Sequence, residues 1–218
     1  IRQGRMMRWS AMEPMSLTKA NTNLIERFGA TLLEIAAKSI DHGLEKDAPL
    51  KLSLESFDPE IATVGASFVT LEIAGDLRGC IGSATAWRPL VEDVAENAFA
   101  TAFCDNRFTP LKVVERKQLD ISLSILTPHQ QMTFSSEDDL IAQLRPGEDG
   151  LVIADGPWKA LFLPVVWESL SDPHDFLSHL KDKAGLKPGH WSDSFTAHRF
   201  AANAITLTAH GEIIHTKA

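Results

Sequence analysis

Apolar residues at Leu24, Phe28, Leu32, Ile35 and Ala36 recur at helical spacing, so the first strong element is an amphipathic helix beginning near Asn21. Asn23 with Glu26 three positions on reads as a capping pair, and Gly43 as the stop. Between Glu45 and Thr63 the pattern is mixed, and Pro49 and Pro59 favour loop and short pieces. Phe68 to Ile73 then has strand composition, Gly75-Asp76 supplies a turn, and Leu77 to Ile81 returns, which predicts a hairpin. A second helix follows, with Pro89 in its first turn and Leu90, Val94, Ala98 and Phe99 on its apolar face. Glu92, Asp93 and Glu96 are expected to point outward or toward its positive start.

In the second half, Asp105 to Pro110 reads as a loop. Leu119, Ile121, Leu123 and Ile125 alternate with polar neighbours and predict a half-buried strand through Leu126. Ser135 or Ser136 caps a short helix reaching Leu144, which Arg145-Pro146-Gly147 ends. Leu151 to Ile153 and Ala160 to Leu163 flank the turn residues Asp155-Gly156, a second hairpin. A helix from Pro173 to Ala184 closes at Gly185, and Phe200 to Leu207 forms a last strand. Helices and antiparallel hairpins mix without a strand–helix–strand rhythm, so the fold class is α+β.

Composition narrows the function classes. The chain has 218 residues with 44% hydrophobic and 23% charged, ordinary values for a globular protein that needs no disulfide or metal staple. A net charge of −8 counts against non-specific nucleic-acid binding. Two cysteines, Cys80 and Cys104, fit a reducing compartment and are too few for a four-thiolate cluster. No apolar run approaches a membrane span, and the Arg2, Arg5, Arg8 stretch lacks the apolar centre of a signal peptide. The expectation is a cytoplasmic protein, with residues 1–20 a poorly ordered leader or expression remnant.

The segment Leu77-Arg78-Gly79-Cys80-Ile81-Gly82-Ser83 is the most unusual in the chain. Glycines in a strand mark a bulge, a bend or a close approach by backbone or ligand. Here Gly79 and Gly82 bracket a thiol just before a helix start, where Arg78 and the helix N-terminus would favour a thiolate. Gly79 and Gly82 are expected to resist substitution, because a Cβ clashes or because the backbone holds a glycine-only conformation. The other reading of Cys80 is a small buried residue in a tight strand, since free cysteine packs well. Cys104, among Phe99, Ala102 and Phe103, reads as buried helix packing. Arg107 with Asp105 is either an ion pair within the loop or a pocket arginine. Neither phosphate-cradling glycine motif is present. His174 and His179 lie five apart on different helix faces, and no metal site or cofactor is expected. Trp158, Trp167 and Trp191 read as core or hairpin anchors.

Leu77-Arg78-Gly79-Cys80-Ile81-Gly82 also resembles the signature of the AMMECR domain family, and the chain looks like its bacterial branch, the AmmeMemoRadiSam system protein A group. Phe68-Val69-Thr70-Leu71 precedes the signature. Arg88-Pro89-Leu90, Asp105-Asn106-Arg107-Phe108, Asp120 to Thr127, Arg145-Pro146-Gly147, Phe162-Leu163-Pro164 and Lys183-Ala184-Gly185-Leu186 follow in the family's order. Relatives often carry Glu where Ser122 stands, His where Asp149 stands and Pro where Asn106 stands. The resemblance implies an antiparallel sheet flanked by helices with a smaller subdomain packed against it. It would occupy residues 21–207 as one domain, followed by a tail over 208–218. It also implies a pathway shared with a Memo-like protein and a radical SAM protein. Two functions follow as expectations. One is an enzyme or enzyme subunit with Cys80 as nucleophile or redox centre and Arg78 as its activator. Gly79, Gly82, Ser83, Asp105 and Arg107 would then contact the ligand. The other is a non-catalytic module docking on the Memo-like or radical SAM protein, with nucleic-acid binding a distant third.

Overall fold

The computed structural model describes residues 14–217, with side chains from Asn23 to His215. It is an α+β fold of two lobes. The first lobe is a five-stranded antiparallel sheet in the order β11 (Ile213–Lys217), β10 (Ala202–Leu207), β5 (Leu119–Leu126), β2 (Ser67–Ile73), β3 (Asp76–Gly82). Helices α1 (Pro14–Lys46) and α2 (Leu90–Phe103) pack on each other and on one face of this sheet. Alternation along the strands decides which side chains they cover. Val69, Leu71, Ile121, Leu123 and Ile205 go under the helices and meet Leu32, Leu33, Ala36, Ile40, Val91, Val94 and Ala98 in one core. A short ladder of β1 (Val64–Gly65) and β4 (Arg88–Pro89) ties the entry of β2 to the start of α2.

The second lobe is inserted between β5 and β10. Its sheet runs β6 (Gln130–Gln131), β9 (Thr196–Phe200), β7 (Gly150–Asp155), β8 (Trp158–Phe162), all antiparallel. Its core holds Leu140 of α3 (Glu137–Ala142) and Phe176, Leu177 and Leu180 of α4 (Pro173–Lys183), with Leu151, Ile153 and Trp167. Trp167 lies flat on Phe176, ring centroids 3.7 Å apart, and Phe162 meets Phe176 edge-on at 5.3 Å. Between the lobes a smaller apolar seam joins Ala66, Leu126, Val152 and Phe200 with Phe68, Leu161, Leu163 and Ala202. Where the chain crosses from lobe to lobe, the Thr127 N–H donates to the Ala201 carbonyl (2.8 Å) and the Ala201 N–H to Thr127 Oγ1 (2.9 Å).

Several expectations are corrected. Residues 14–20, read as leader, belong to α1, so Asn23 and Glu26 lie inside the helix and cap nothing; the leader reading of residues 1–13 lies outside the described residues. Gly43 does not stop the helix. A Cβ there would sit 2.3 Å from the Phe103 ring, so the glycine admits α2, and the helix ends at Lys46 before Asp47 turns to φ 52°. The strand read over 200–207 is β10, Ala202–Leu207, while Phe200 ends β9 of the other sheet and Ala201 is the break where the chain changes lobes. The tail over 208–218 supplies β11, paired along β10 from Leu207↔Ile213 to Asn203↔Lys217. Ser136 rather than Ser135 caps α3, accepting from the Asp139 N–H.

Candidate functional site

Cys80 owes its position to a bulge. From the turn, Ile73 pairs Asp76 and Glu72 pairs Leu77, but the register then slips by one residue, so Leu71 pairs Gly79 and Thr70 pairs Cys80. A regular hairpin would place Cys80 opposite the buried Val69; with Arg78 as the extra residue it lies opposite Thr70. It therefore shares the face turned away from α1 and α2. Across four strands that face carries a row of small polar side chains in register, Thr206, Ser122, Thr70 and Cys80. Ser122 and Thr206 share a hydrogen bond of 2.8 Å, and Thr70 Oγ1 donates to Cys80 Sγ at 3.3 Å. The next row places the Phe68 ring over Gly82, at the apolar seam.

β3 is an edge strand, and the loop after α2 closes its edge at Cys80. The Cys80 N–H donates to Asp105 Oδ2 (2.9 Å), and Arg107 Nη2 donates to the Cys80 carbonyl (3.1 Å). Asp105 and Arg107 are joined side-on, Nε to Oδ1 at 2.9 Å and Nη2 to Oδ2 at 2.6 Å. The Arg107 guanidinium, foremost, holds the Asp105 carboxyl well below the usual carboxylate range; burial opposes, and the Cys80 and Arg107 N–H groups add to the lowering. Arg107 is raised in turn, by Asp105 first and with a smaller contribution from the Cys80 sulfur.

The opposite wall supplies Lys183, at the end of α4. Its side chain is exposed as a whole, but the ammonium is drawn in, donating to the Leu161 carbonyl at 3.1 Å and standing 5.1 Å above the Phe162 ring. Burial is the first cause that pushes Lys183 down; the Cys80 sulfur raises it and the Arg107 charge lowers it again. A thiol of one lobe thus lies within electrostatic reach of a cation from the other lobe and of a second cation from its own. Positive neighbours and a donated hydroxyl stabilise negative charge on a sulfur.

The remaining sequence candidates divide. Cys80, Asp105 and Arg107 are brought together, with Asp105 and Arg107 paired. Arg78 is not in that group: Nε and Nη2 bind Glu115 at 2.8 and 3.2 Å, Nη2 also binds the Thr109 carbonyl, and Glu115 is lowered by Arg78 first of all. Ser83 donates to Asp93 Oδ1 at 2.6 Å. Asp93 is not outward but fully buried, and also accepts from the Ser67 N–H and hydroxyl, Arg88 Nε and Asn97 Nδ2. It therefore locks β2, β3 and α2 together behind the site. Gly79 and Gly82 do not adopt positive φ, which corrects the glycine-only conformation; space is what they need. A Cβ on Gly79 would lie 2.6 Å from the Thr101 carbonyl oxygen, and one on Gly82 2.5 Å from the Ser67 carbonyl oxygen. Cys104 is exposed at the C-cap of α2 rather than buried, because its neighbours Phe99 and Phe103 pack toward Gly43 on α1. Of the tryptophans, Trp167 is core, Trp191 packs beside the second core and Trp158 is an exposed hairpin residue.

Sequence reasoning missed Thr70 and Lys183. Thr70 was hidden by the bulge, and Lys183 is distant in sequence, although Lys183-Ala184-Gly185-Leu186 was one of the matching segments. Asp149, where relatives often carry His, is buried and bound by Arg145 (2.5 Å), with Arg199 at 3.7 Å. Among the described residues no group of three or more His, Cys, Asp or Glu could hold a metal ion, and no helix is long and apolar enough to cross a membrane.

Comparison with known proteins agrees with this architecture. The family model described as AMMECR1 matches residues 33–205. A protein of Methanothermobacter thermautotrophicus is 37% identical over 176 residues, covering 80% of this chain and 91% of its own. One of Saccharolobus solfataricus is 39% identical over 178 residues, 78% of this chain and 77% of its own. The crystal structure of an uncharacterized protein from Pyrococcus horikoshii aligns with a TM-score of 0.81 at 29% identity, over 88% of this chain and 98% of that one.

Proposed function

The chain belongs to the AMMECR1 family, and we propose that it acts through Cys80 as a thiol-dependent component of an AmmeMemoRadiSam-type system. The assignment to that system and to its bacterial branch rests on the Leu77–Gly82 signature and the segments that follow it. The thiol chemistry rests on one observation: Cys80 carries the Thr70 hydroxyl on its sulfur and the Asp105–Arg107 pair on its backbone. Arg107 and Lys183 take the activating part that sequence reading gave to Arg78. Asp105 aims Arg107, and Gly79 and Gly82 let β3 lie close to α2 and Phe68.

The test is the alkylation rate of Cys80 by iodoacetamide, with Cys104→Ser removing the exposed second thiol. The native protein should react at least tenfold faster than the urea-unfolded chain at the same pH, and Thr70→Val and Lys183→Met should each lower that advantage. A native rate at or below the unfolded rate defeats the nucleophile. The reading then favoured is a docking module for a Memo-like or radical SAM partner. That reading draws on a groove of about 370 Å³ beside the lobe crossing, lined by Val64, Leu90, Ile125 and Pro128, with Trp87 exposed nearby. Co-purification with each partner protein, lost on Trp87→Ser, is its own measurement.

A further inference from the structure

Independently of Cys80, we infer that the groove beside the lobe crossing is a small-molecule site for an uncharged, mainly apolar ligand that ends in one hydroxyl group. The groove forms where two paired strands part. β2 and β5 stay in register up to Ser67↔Ile125, and the Leu126 N–H still reaches the Ala66 carbonyl at 3.0 Å. Beyond that point one chain belongs to the β1–β4 ladder, and the other crosses to the second lobe through Thr127 and Pro128. The space between them is about 370 Å³, lined by Leu24, Val64, Leu90, Ile125 and Leu126. That is more than twice the ~150 Å³ of an apolar cavity that holds benzene, ample for two fused rings. Thr127 and His129 also line the groove and set the chemistry of the ligand's end. Thr127 is 5% exposed; its Oγ1 accepts from the Ala201 N–H at 2.9 Å, and its own proton has no acceptor among the described residues. Buried polar groups are nearly always satisfied, so an unspent hydroxyl proton beside a cavity marks a place for a ligand acceptor. His129 is half-buried, its ring 5.2 Å from that of Phe200, and it too makes no hydrogen bond among the described residues. Burial foremost, then His198 and Lys159, lowers His129, so at neutral pH its imidazole is uncharged and keeps one nitrogen as an acceptor. A ligand hydroxyl answers both groups at once, accepting from Thr127 and donating to His129. A carboxylate would bring a charge that no cation lines the groove to meet among the described residues, and an ammonium would find Glu60 already paired with Arg27.

Three probes of matched ring size, dialysed to equilibrium against the full chain at neutral pH, test the inference. They are 2-naphthol, which carries the hydroxyl, naphthalene, which lacks it, and 2-naphthoate, which carries a charge instead. Naphthol should bind with a Kd of about 100 μM or tighter, and each of the other two about tenfold more weakly. His129→Leu should weaken naphthol about tenfold while leaving naphthalene unchanged or tighter, a split that a merely disturbed groove would not give. Thr127→Val should act in the same direction, with thermal unfolding showing that each variant is folded. Naphthol and naphthalene bound equally well, or a preference for naphthol that His129→Leu leaves intact, overturns the inference, because the groove would then bind by apolar contact alone or through other groups. Tightest binding by naphthoate overturns it as well. Binding of none of the three also overturns it and leaves the groove to a docking partner.

Discussion

Asp105 carries the geometry of the site, and its removal has a cost that follows from its contacts. In Asp105→Ala the Cys80 N–H, on a half-buried strand, loses its acceptor, which costs about 1–3 kcal/mol. The lost ion pair adds little, at most about 1 kcal/mol, because the Arg107 side chain is 52% exposed and takes water in place of the carboxylate. The expected total is about 1–4 kcal/mol, a fall of about 0.5–2 M in the urea midpoint with the slope unchanged. Asp105→Asn keeps an acceptor for Cys80 and should lose about half as much. The pH dependence has a definite sign. A carboxyl held below its ordinary value of 3.8 in the folded state contributes stability that is complete above that value and is lost as pH falls toward the lowered one. The stability gap between parent and Asp105→Ala should therefore stay constant above about pH 5 and narrow below about pH 4. Equal losses in Ala and Asn, or a gap that widens in acid, would refute the assignment of Asp105 as the acceptor that closes the β3 edge.

Gly82→Ala should cost about 1–3 kcal/mol by overpacking, since its Cβ would meet both a backbone oxygen and the Phe68 ring; a chemical-denaturation midpoint equal to the parent's would show that β3 has room to move. His129 is lowered by burial first, then by His198 and Lys159, so it resists protonation in the folded state. Stability should fall as pH drops below the ordinary value of 6.5, and His129→Leu should flatten the decline in melting temperature between about pH 7 and pH 5.

What the sequence disclosed was what a local pattern can carry. The alternation from Leu119 to Leu126 names a strand and its buried face, and Asp155-Gly156 names a hairpin whose turn is one residue later, Gly156 at φ 56° with Pro157, Asp155 being the last residue of β7. Pro173 and Gly185 bracket α4 within a residue. Gly43 misled because a glycine that ends a helix and one that admits a neighbouring ring look alike until Phe103 is in place. The break at Ala201 was invisible for a similar reason: both halves of 196–207 have strand composition, and only the pairing of Thr127 with Ala201 sends them to different sheets. The loop of Asp105 and Arg107 was legible as an ion pair. That it grips Cys80 requires the tertiary fold, as does the loss of Arg78 to Glu115.

The same contacts that build the site also protect the sheets. β3 and β8 are both edge strands, and an edge with unspent N–H and carbonyl groups invites pairing with another chain. At Cys80 both groups are occupied by the side chains of Asp105 and Arg107, and at Leu161 the carbonyl is occupied by Lys183. One edge of each sheet thus carries a cap made by charged side chains rather than by a further strand. This explains why Arg107 and Lys183 are placed without any local sequence signal. They are fixed by backbone groups, which every residue has, at the place where the bulge at Arg78 has turned the thiol outward. Edge protection sets their positions, and the Asp105–Arg107 grip on Cys80 is the part of it that the site uses.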